Sequence, residues 1–340
     1  MKLERILIVG YGSIGQRHLR IARSLLPNAD IRVLRHQTSE FLPEYADGCM
    51  FSLHDALTFA PQAAVIASPS TFHLQTAQPL AEIGVHLLVE KPISASLTGV
   101  AALLACCEAR GNVLMTAYNL RFMPSLQAFR DKVQSGLIGK VLSVRCEIGQ
   151  YLPSWRPRSD YRSGVTALRA MGGGALLELS HEIDYLRWIF GEVAWVKASL
   201  SKQSNLEINV EDTAHLILGF EANIKGRNLI GNLSMDLVRH DTTRQCLAIG
   251  ENGSLRWSGL EGVVEYFPAG GTEWKKISEH KPQPNESYIA EWQHFIACIR
   301  DGRVPIVSGQ DGLASLIIIE AARRSATGND AIPTASEMIK

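Results

Sequence analysis

The stretch that decides the fold is RILIVGYGSIGQRHLRIARSLLPNADIRVL, residues 5–34. Its start, residues 5–9, is mostly apolar and predicts a buried strand, and the glycine pattern GYGSIG follows at residues 10–15. Leucine and alanine side chains then recur at helical spacing over residues 16–26, and residues 31–34 predict a second strand. A strand, a GxGxxG turn, a helix and a strand within about thirty residues is the context that a dinucleotide-binding fingerprint requires.

The glycine turn is the candidate site for the pyrophosphate of a dinucleotide. Glycines allow a tight turn and a close approach of the backbone to the phosphates, and the helix N-terminus supplies N–H groups with a partial positive charge. The alternative is an ordinary glycine-rich turn, because GxGxxG alone is a weak signal. The residues predicted to bind the cofactor here are Gly10, Gly12, Ser13, Ile14 and Gly15.

Strands and helices continue to alternate beyond this unit. Apolar runs predict strands and helical spacing predicts helices, in the order strand 63–67, helix 76–83, strand 85–89, helix 97–110 and strand 113–117. This alternation predicts a doubly wound parallel sheet, an α/β arrangement whose ligands bind at the carboxyl ends of the strands. The residues expected at that edge, besides the glycines, include Ser68, Pro69, Glu90, Lys91 and Asn119.

The strand at 85–89 ends in Glu90-Lys91-Pro92. Sheet pairing stops there because proline has no N–H to donate. Two charges at the end of a buried strand destabilise the fold unless they are solvated or have a functional role. We therefore expect Lys91 to lie where a cofactor and its substrate meet, and the alternative is a solvated exit from the strand into a loop.

The end of the second strand bears on the choice of cofactor. An acid at this position binds the ribose 2′-hydroxyl of NAD, whereas an arginine accommodates the 2′-phosphate of NADP. Arg35, His36 and Gln37 stand here, while Asp30 lies at the other end of the strand and Glu40 several residues past it. We therefore expect NAD(P) with NADP(H) slightly favoured, although an arginine can also stack on the adenine of NAD.

The pattern changes in the second half of the chain. Period-2 or apolar runs predict strands at 140–151, 192–201, 214–220, 228–235, 243–250 and 263–267, and amphipathic helices are expected at 291–300 and 311–326. These strands indicate a second, α+β domain with a largely antiparallel sheet. We place the first domain at residues 1–120 and the second at 121–340.

One predicted helix of the second domain, residues 176–190, carries two stripes. An apolar stripe is formed by Leu179, Ile183, Leu186 and Phe190. Glu178, His181 and Tyr185 are expected together on another side. His181 is a candidate base because imidazole titrates near neutral pH. A half-exposed helix histidine without a catalytic role is the alternative.

The stretch YLPSWRPRSDYRSG, residues 151–164, places Arg156, Arg158 and Arg162 among aromatic residues such as Trp155. Arginine binds carboxylate or phosphate through two parallel hydrogen bonds, and aromatic faces suit sugar rings or bases. The stretch indicates an anionic sugar derivative as substrate, such as a sugar acid, a sugar phosphate or a nucleotide sugar. A solvated loop with incidental charges is an equal alternative.

Composition excludes several classes of protein. The 34 basic and 34 acidic residues cancel, so no broad basic field favours nucleic acid or a membrane surface. Apolar runs are too short to span a membrane. The six cysteines form no CxxC pair, which favours free thiols and a cytoplasmic location. The histidines show no metal-ligand spacing, so no metal is expected.

Several motifs together resemble one family, that of glucose–fructose oxidoreductase, inositol dehydrogenase and the rhizopine catabolism protein (Gfo/Idh/MocA). The resemblance extends over nearly the whole chain. The motifs are GYGSIG at 10–15, SPSTFH at 68–73, EKP at 90–92, YNLRFMP at 118–124, GGGALLELSHEIDYLRWIFG at 172–191, VEDTA at 210–214 and GENGSLRW at 250–257.

The resemblance implies a Rossmann domain followed by an open-faced sheet domain that often forms oligomers, here a dimer or tetramer. It implies an NAD(P)-dependent oxidoreductase acting on a sugar, a polyol or a derivative. The residues assigned to cofactor binding are those of the glycine turn, Arg35 and His36 after the second strand, and Ser68, Pro69, His73, Glu90, Lys91 and Asn119. Those implied to contact the substrate are Lys91, Arg121, Trp155, Arg156, Arg162, His181 and Asp184.

By the same resemblance Lys91 and His181 are catalytic, and the proline after Lys91 is often cis. His181 would take the hydroxyl proton and Lys91 would stabilise the same oxygen, although the two roles are interchangeable at this level. Many members carry an aspartate four residues before the histidine, where Leu177 stands here, so Glu178 is the candidate partner acid. Two alternatives stay open: an NAD-dependent glycoside hydrolase and a non-catalytic sugar-sensing regulator, the latter disfavoured by the intact EKP and His181.

Overall fold

The computed structural model describes residues 2–36, 41–157, 159–221 and 229–334. The chain forms two units, and each contains more than one segment of the sequence. The first unit comprises residues 1–119 and 287–316, and the second comprises residues 120–286 and 317–340. Residues 287–316, late in the sequence, therefore belong to the same unit as the glycine turn.

The first unit is built on a parallel sheet flanked by helices. Its elements up to Asn119 are β1 (Arg5–Val9), α1 (Ser13–Leu25), β2 (Asp30–Leu34), β3 (Gly48–Met50), α2 (Leu53–Phe59), β4 (Ala63–Ile66), α3 (His73–Glu82), β5 (His86–Glu90), α4 (Val100–Arg110) and β6 (Leu114–Ala117). The strand order is β3-β2-β1-β4-β5-β6. All pairs are parallel, so the carboxyl ends of the strands meet at one edge.

The apolar strands of this sheet are buried because helices cover both faces. Ile6, Leu7 and Ile8 of β1 have no measurable exposure, and all of β4 is buried. Continuous apolar runs of this kind are typical of parallel sheets. The prediction of a doubly wound parallel sheet is confirmed, with the short elements β3 and α2 added to it.

The second unit is built on a mixed sheet. Its remaining elements are α5 (Pro124–Gln134), β7 (Val141–Gly149), α6 (Leu152–Trp155), α7 (Ala175–Glu178), α8 (His181–Phe190), β8 (Val193–Ser201), β9 (Thr213–Phe220), β10 (Ile230–Asp236), β11 (Thr243–Gly250), β12 (Gly253–Ser258), β13 (Val263–Pro268) and β14 (Lys275–Glu279). The chain ends with α9 (Glu286–Asp301), α10 (Gly309–Gly328) and β15 (Ile332–Pro333).

The strand order of this sheet is β14-β13-β12-β11-β7-β10-β9-β8-β15. Only the pair β7–β10 is parallel in the described part, so the largely antiparallel arrangement is confirmed. One side is covered and the other is open. In β9, for example, Leu216 and Leu218 are buried whereas His215 and Ile217 are exposed. The sheet is therefore open-faced, as expected.

The prediction of one continuous helix over residues 176–190 is wrong. The structure has two helices, α7 and α8, separated at Leu179 and Ser180. At Leu179 the backbone turns to φ −98° and ψ 22°, and the N–H of Glu182 bonds to the carbonyl of Leu179, one residue nearer than in an α-helix. The apolar stripe continues across this tightened turn, so sequence periodicity does not register the break.

Candidate active site

The glycine turn joins β1 to α1, and its geometry depends on two glycines. Gly10 has φ +93°, and a Cβ there would lie 2.7 Å from the carbonyl oxygen of Ala67. A Cβ at Gly15 would lie 2.2 Å from the carbonyl oxygen of Gly10. At Gly12, by contrast, nothing lies within 4 Å of the Cβ position. The turn is thus closed on the side of the sheet and open above Gly12.

Residues at the end of β4 lie beside this turn. The Ser68 hydroxyl is buried and has no hydrogen-bond partner among the described residues. His73 is buried, with Nε2 2.8 Å from the carbonyl oxygen of Ser68 and Nδ1 3.3 Å from that of Ile93. Burial lowers the pKa of His73, so the neutral ring donates one hydrogen bond, and the shorter contact identifies Ser68 as its acceptor. His73 therefore ties the end of β4 to the loop after β5.

Glu90 ends β5 and Lys91 follows it at the same edge. Glu90 is buried, its Oε1 lies 2.8 Å from Nε2 of His18, and its Oε2 accepts a hydrogen bond of 3.1 Å from the backbone N–H of Lys91. Burial acts to raise the pKa of Glu90, but the hydrogen bond from His18 and the charges around it outweigh burial and lower that pKa. Glu90 is therefore a carboxylate, and the peptide bond from Lys91 to Pro92 is cis.

Three further predicted cofactor residues follow the ends of other strands. The guanidinium of Arg35, after β2, lies 5.2 Å from the ring centre of Tyr11, and it donates to the carbonyl oxygen of Phe41 at 3.2 Å. His36 is exposed, and Gln37 and Glu40 lie outside the described residues. Asn119, after β6, is buried and donates to the hydroxyl of Ser287 at 2.8 Å.

In the second unit, three consecutive glycines precede α7. A Cβ at Gly173 would lie 2.5 Å from the carbonyl oxygens of Val165 and Thr166. Gly174 has φ +108°, and its Cβ would lie 2.3 Å from the carboxylate of Glu211. Glu211 also accepts a hydrogen bond of 3.1 Å from the N–H of Leu176 in the first turn of α7. The GGG and VEDTA motifs therefore form one structure that positions α7.

His181 begins α8 and is half-buried, and Glu178 ends α7. Thr166 donates to the Glu178 carboxylate at 3.3 Å. His181 and Tyr185 lie four residues apart in α8, whereas Glu178 lies in α7, across the turn at Leu179 that breaks the helical register of the predicted stripe. Tyr185 is buried, with its hydroxyl 2.9 Å from Sγ of Cys146.

The structure brings two predicted substrate residues together. Arg121 and Asp184 form a two-point ion pair in which Nε lies 2.8 Å from Oδ2 and Nη2 lies 2.6 Å from Oδ1. Both side chains are almost wholly buried. Asp184 lies in the first turn of α8, three residues after His181. The pair therefore attaches the start of α8 to the turn that contains Arg121.

The predicted arginine-rich stretch is exposed, and one of its arginines is already paired. Arg162 donates to Asp160 at 2.9 Å and to Glu207 at 2.8 Å, and these carboxylates raise its pKa. Arg156 is exposed, and Arg158 lies outside the described residues. The indole N–H of Trp155 is buried and has no hydrogen-bond partner among the described residues. Of the described arginines, Arg156 is therefore the better candidate for an anionic ligand.

Family models match both units of this arrangement. One, described as oxidoreductase family, NAD-binding Rossmann fold, matches residues 4–118. The other, described as oxidoreductase family, C-terminal alpha/beta domain, matches residues 130–334, more than half of the chain. The chain belongs to the Gfo/Idh/MocA family. The resemblance drawn from the motifs is confirmed, and this Gfo/Idh/MocA protein is an NAD(P)-dependent oxidoreductase.

Named relatives and solved structures agree with the family. The chain is 27% identical over 338 residues to D-apiose dehydrogenase of Paraburkholderia graminis, covering 94% of this chain and 86% of that one. Its fold is similar to levoglucosan dehydrogenase in complex with NADH and levoglucosan, at a TM-score of 0.82, 20% identity and 98% and 100% coverage. It is also similar to the WlbA dehydrogenase from Bordetella pertussis in complex with NADH and UDP-GlcNAcA, at a TM-score of 0.79, 23% identity and 97% and 98% coverage.

The first unit of this Gfo/Idh/MocA protein fits a dinucleotide. No side chain caps the N-terminus of α1, where an α-helix leaves its first N–H groups without partners inside the helix. The space above Gly12 and the unpartnered hydroxyl of Ser68 add room and a polar contact at the same edge. Among the described residues, no helix is both long and apolar enough to span a membrane.

Residues that sequence reasoning missed include His18 and Trp292. The indole N–H of Trp292 donates to Nδ1 of His18 at 2.9 Å, and both side chains are buried. A histidine three residues beyond the glycine fingerprint, inside an apolar helix face, was the available signal for His18. No local signal connects it to Trp292, because 274 positions separate them.

Proposed function

We propose that this oxidoreductase transfers a hydride between NAD(P) and a carbinol or carbonyl carbon of a sugar, a polyol or a derivative of either. One observation carries the proposal. The ends of β1, β4 and β5 bring the glycine turn, the unpartnered hydroxyl of Ser68 and Lys91 to one edge of one sheet. The relatives named for D-apiose and levoglucosan support a carbohydrate substrate.

The proposed catalytic residues are Lys91 of the first unit and His181 of the second. Bound NAD(P) supplies the hydride acceptor or donor at its nicotinamide ring. In the oxidation direction His181 takes the proton of the substrate hydroxyl, and the ammonium of Lys91 hydrogen-bonds the same oxygen and stabilises its developing negative charge. Glu178, which ends the helix before His181, is proposed to orient the imidazole. In an alternative form of the same proposal, Lys91 and His181 exchange these roles.

The test is a substrate screen that follows the absorbance of reduced nicotinamide, repeated with Lys91→Ala and His181→Ala. Each variant is expected to lower kcat by about 10²-fold or more while still binding NADH. Lys275→Ala and His215→Ala, both at exposed positions of the second unit's sheet, serve as controls that keep activity. Wild-type turnover in either catalytic variant removes that residue from the mechanism. A hydrolase or a regulator produces no net NAD(P)H from a free sugar or polyol.

An anionic or nucleotide-linked sugar is the narrower form of the substrate proposal. It is supported by the exposed Arg156, by the buried indole N–H of the preceding residue Trp155, and by the UDP-GlcNAcA in the WlbA complex. Arg156→Gln should raise KM for an anionic substrate and leave the NADH affinity unchanged. Arg162→Gln is the comparison, because Asp160 and Glu207 already hold that guanidinium. An unchanged KM for the anionic substrate in Arg156→Gln contradicts this form.

The cofactor proposal is a slight preference for NADP(H). It rests on Arg35 at the end of β2, because a guanidinium there can bind a ribose 2′-phosphate. His36, next to it, is exposed and offers a further hydrogen bond. The solved relatives named above were determined with NADH, so the preference is a property proposed for this chain alone.

We further propose a homo-oligomer, a dimer or a tetramer, formed through the open side of the second unit's sheet. Exposed apolar side chains on neighbouring strands, Ile217 of β9 and Ile230 of β10, support this side. Light scattering after size exclusion should give a mass of two or four chains, and Ile217→Lys should lower it. A monomer at micromolar concentration contradicts the proposal. A cytoplasmic location stays a prediction from the cysteine pattern.

A further inference from the structure

Four residues of the first unit form a continuous chain of hydrogen bonds behind the end of β5. The indole N–H of Trp292 lies 2.9 Å from Nδ1 of His18. Nε2 of His18 lies 2.8 Å from Oε1 of Glu90, whose Oε2 lies 3.1 Å from the backbone nitrogen of Lys91. Trp292 and His18 have no exposed surface, and Glu90 has 7%. The chain of bonds thus runs from the interior of the unit to the lysine at its edge.

The direction of these bonds is determined by chemistry. An indole nitrogen only donates, so Nδ1 of His18 must accept. The proton of the imidazole is then on Nε2, which donates to Glu90. A carboxylate only accepts, so its second oxygen takes the N–H of Lys91. Trp292 therefore selects the one tautomer of His18 that can hold Glu90.

The helix that carries Trp292 is itself attached to the strand ends. In α9, Ser287 accepts a hydrogen bond of 2.8 Å from Asn119, which follows β6. One residue later, the ring of Tyr288 lies 4.6 Å from the guanidinium carbon of Arg17 in α1. Contacts at two separate points hold α9 in place, so Trp292 is a stable origin for the chain of bonds.

We propose that Trp292 and His18 are positioning residues, which hold Glu90 and through it the backbone of Lys91 in the orientation that the reaction needs. This inference rests on the proposed catalytic role of Lys91. A carboxylate that lost His18 would keep the Lys91 N–H as its only described hydrogen-bond donor, and its side chain would be free to rotate. The Lys91 backbone would move with it, and a displacement of about 1 Å at a reacting group can cost about 10²-fold in rate.

The test compares three variants with a matched control. Trp292→Phe keeps an aromatic ring and removes the N–H. His18→Leu removes both hydrogen bonds, whereas His18→Gln keeps one donor and one acceptor. The control is Trp257→Phe in the second unit, which removes an equally buried indole N–H that donates to Ser125 at 3.1 Å and has no connection to Lys91.

Trp292→Phe and His18→Leu are expected to lower kcat by about 10- to 100-fold with little change in KM or NADH affinity. His18→Gln should recover most of the kcat lost in His18→Leu, and Trp257→Phe should keep wild-type kcat. Amide hydrogen exchange adds a readout without turnover: exchange at the Lys91 amide should quicken in Trp292→Phe and stay unchanged in Trp257→Phe.

Unchanged exchange at Lys91 in Trp292→Phe overturns the inference, as does an equal loss of kcat in Trp257→Phe. A third outcome also overturns the inference: Trp292→Phe shows quicker exchange at the Lys91 amide but full kcat, while Lys91→Ala is inactive. In that case the orientation of the Lys91 backbone does not matter for the reaction. Full activity of Lys91→Ala is a different result. It refutes the proposed role of Lys91, and the exchange measurement alone then decides whether Trp292 and His18 hold that residue.

Discussion

Arg121 and Asp184 form an ion pair that is almost completely withdrawn from solvent, with side-chain exposures of 4% and 2%. Two parallel hydrogen bonds join the guanidinium to the carboxylate, which gives the pair a single geometry. The sequence presented both residues as substrate contacts, and that role stays a prediction. Each is an observed partner of the other, and the pair secures the start of the helix that His181 begins.

Removal of one charge of this pair should lower the free energy of unfolding. In Asp184→Asn the guanidinium of Arg121 stays buried without its counter-charge, and we expect a loss of about 3–5 kcal/mol in the free energy of unfolding. The comparison is Asp241→Asn, whose partner Arg239 holds it in the same two-point manner at the surface. That change should cost about 1 kcal/mol or less. Urea denaturation measures both, and similar losses would show that burial of the first pair is unimportant.

The buried carboxyl group of Glu291 should make the free energy of unfolding depend on pH. It is buried in the first unit, and neither carboxyl oxygen has a hydrogen-bond partner among the described residues. Burial raises the pKa of Glu291 well above its usual value, and the charge of Glu90 raises it further. The folded state therefore keeps a proton that the unfolded chain releases above about pH 4.3. From there upward, until the folded pKa is passed, each pH unit lowers the free energy of unfolding by about 1.4 kcal/mol.

Glu291→Gln removes this titration. Its stability relative to the wild type should therefore increase as the pH is raised above about 5, until the raised pKa of Glu291 in the folded wild type is passed, because only the wild type has this titration. Urea denaturation at several pH values measures the difference. A difference that stays constant over the whole range contradicts the prediction.

Arg35 should select the cofactor. Arg35→Ala is expected to weaken NADPH binding by about tenfold or more, because a charge-assisted pair with the 2′-phosphate is lost, and to change NADH binding far less. Arg32→Ala is the control, since its guanidinium on the same strand is held by Asp30 at 2.8 Å. Fluorescence titration of the three cofactor-free proteins with NADH and with NADPH gives the dissociation constants. Tighter NADH than NADPH binding in the wild type, or an unselective loss in Arg35→Ala, rules out the preference.

Alanine substitutions at two glycines of the fingerprint should have different effects. Gly15→Ala places a methyl group against the carbonyl of Gly10 and should lower the thermal unfolding temperature whether or not cofactor is present. Gly12→Ala meets nothing within the protein and should cost about 1 kcal/mol or less in stability. Its NADH affinity should nevertheless fall, because the backbone must approach the pyrophosphate closely there. Wild-type NADH affinity in Gly12→Ala would place the pyrophosphate elsewhere.

Short-range patterns predicted the fold well where a single period controls the structure. The apolar runs of the first half became the parallel strands, because each has a mostly apolar, buried centre and helical patterns separate most of them. The strands β3, β12, β14 and β15 were missed. Lys275–Glu279, for example, is almost entirely exposed, and its alternation is too weak to distinguish it from a loop.

Within the candidate site, sequence reasoning identified the residues at the strand ends but not their partners. Glu90 and Lys91 were found because a charged pair after a buried strand is unusual. The partner of Glu90, His18, lies 72 positions earlier, and the partners of Arg162 include Glu207, 45 positions later. Pairs this far apart leave no periodic trace in a single sequence.

The sequence by itself determined the type of each unit, the edge of the sheet where the cofactor residues gather, and the family. These depend on local apolar periods and on backbone positions that only glycine or proline tolerates. Only the tertiary structure decided that Arg162 is already paired, that Arg121 holds Asp184, and that Trp292 reaches His18. Side-chain hydrogen bonds act over about 3 Å, so which groups meet depends on how the whole chain packs rather than on their spacing along it.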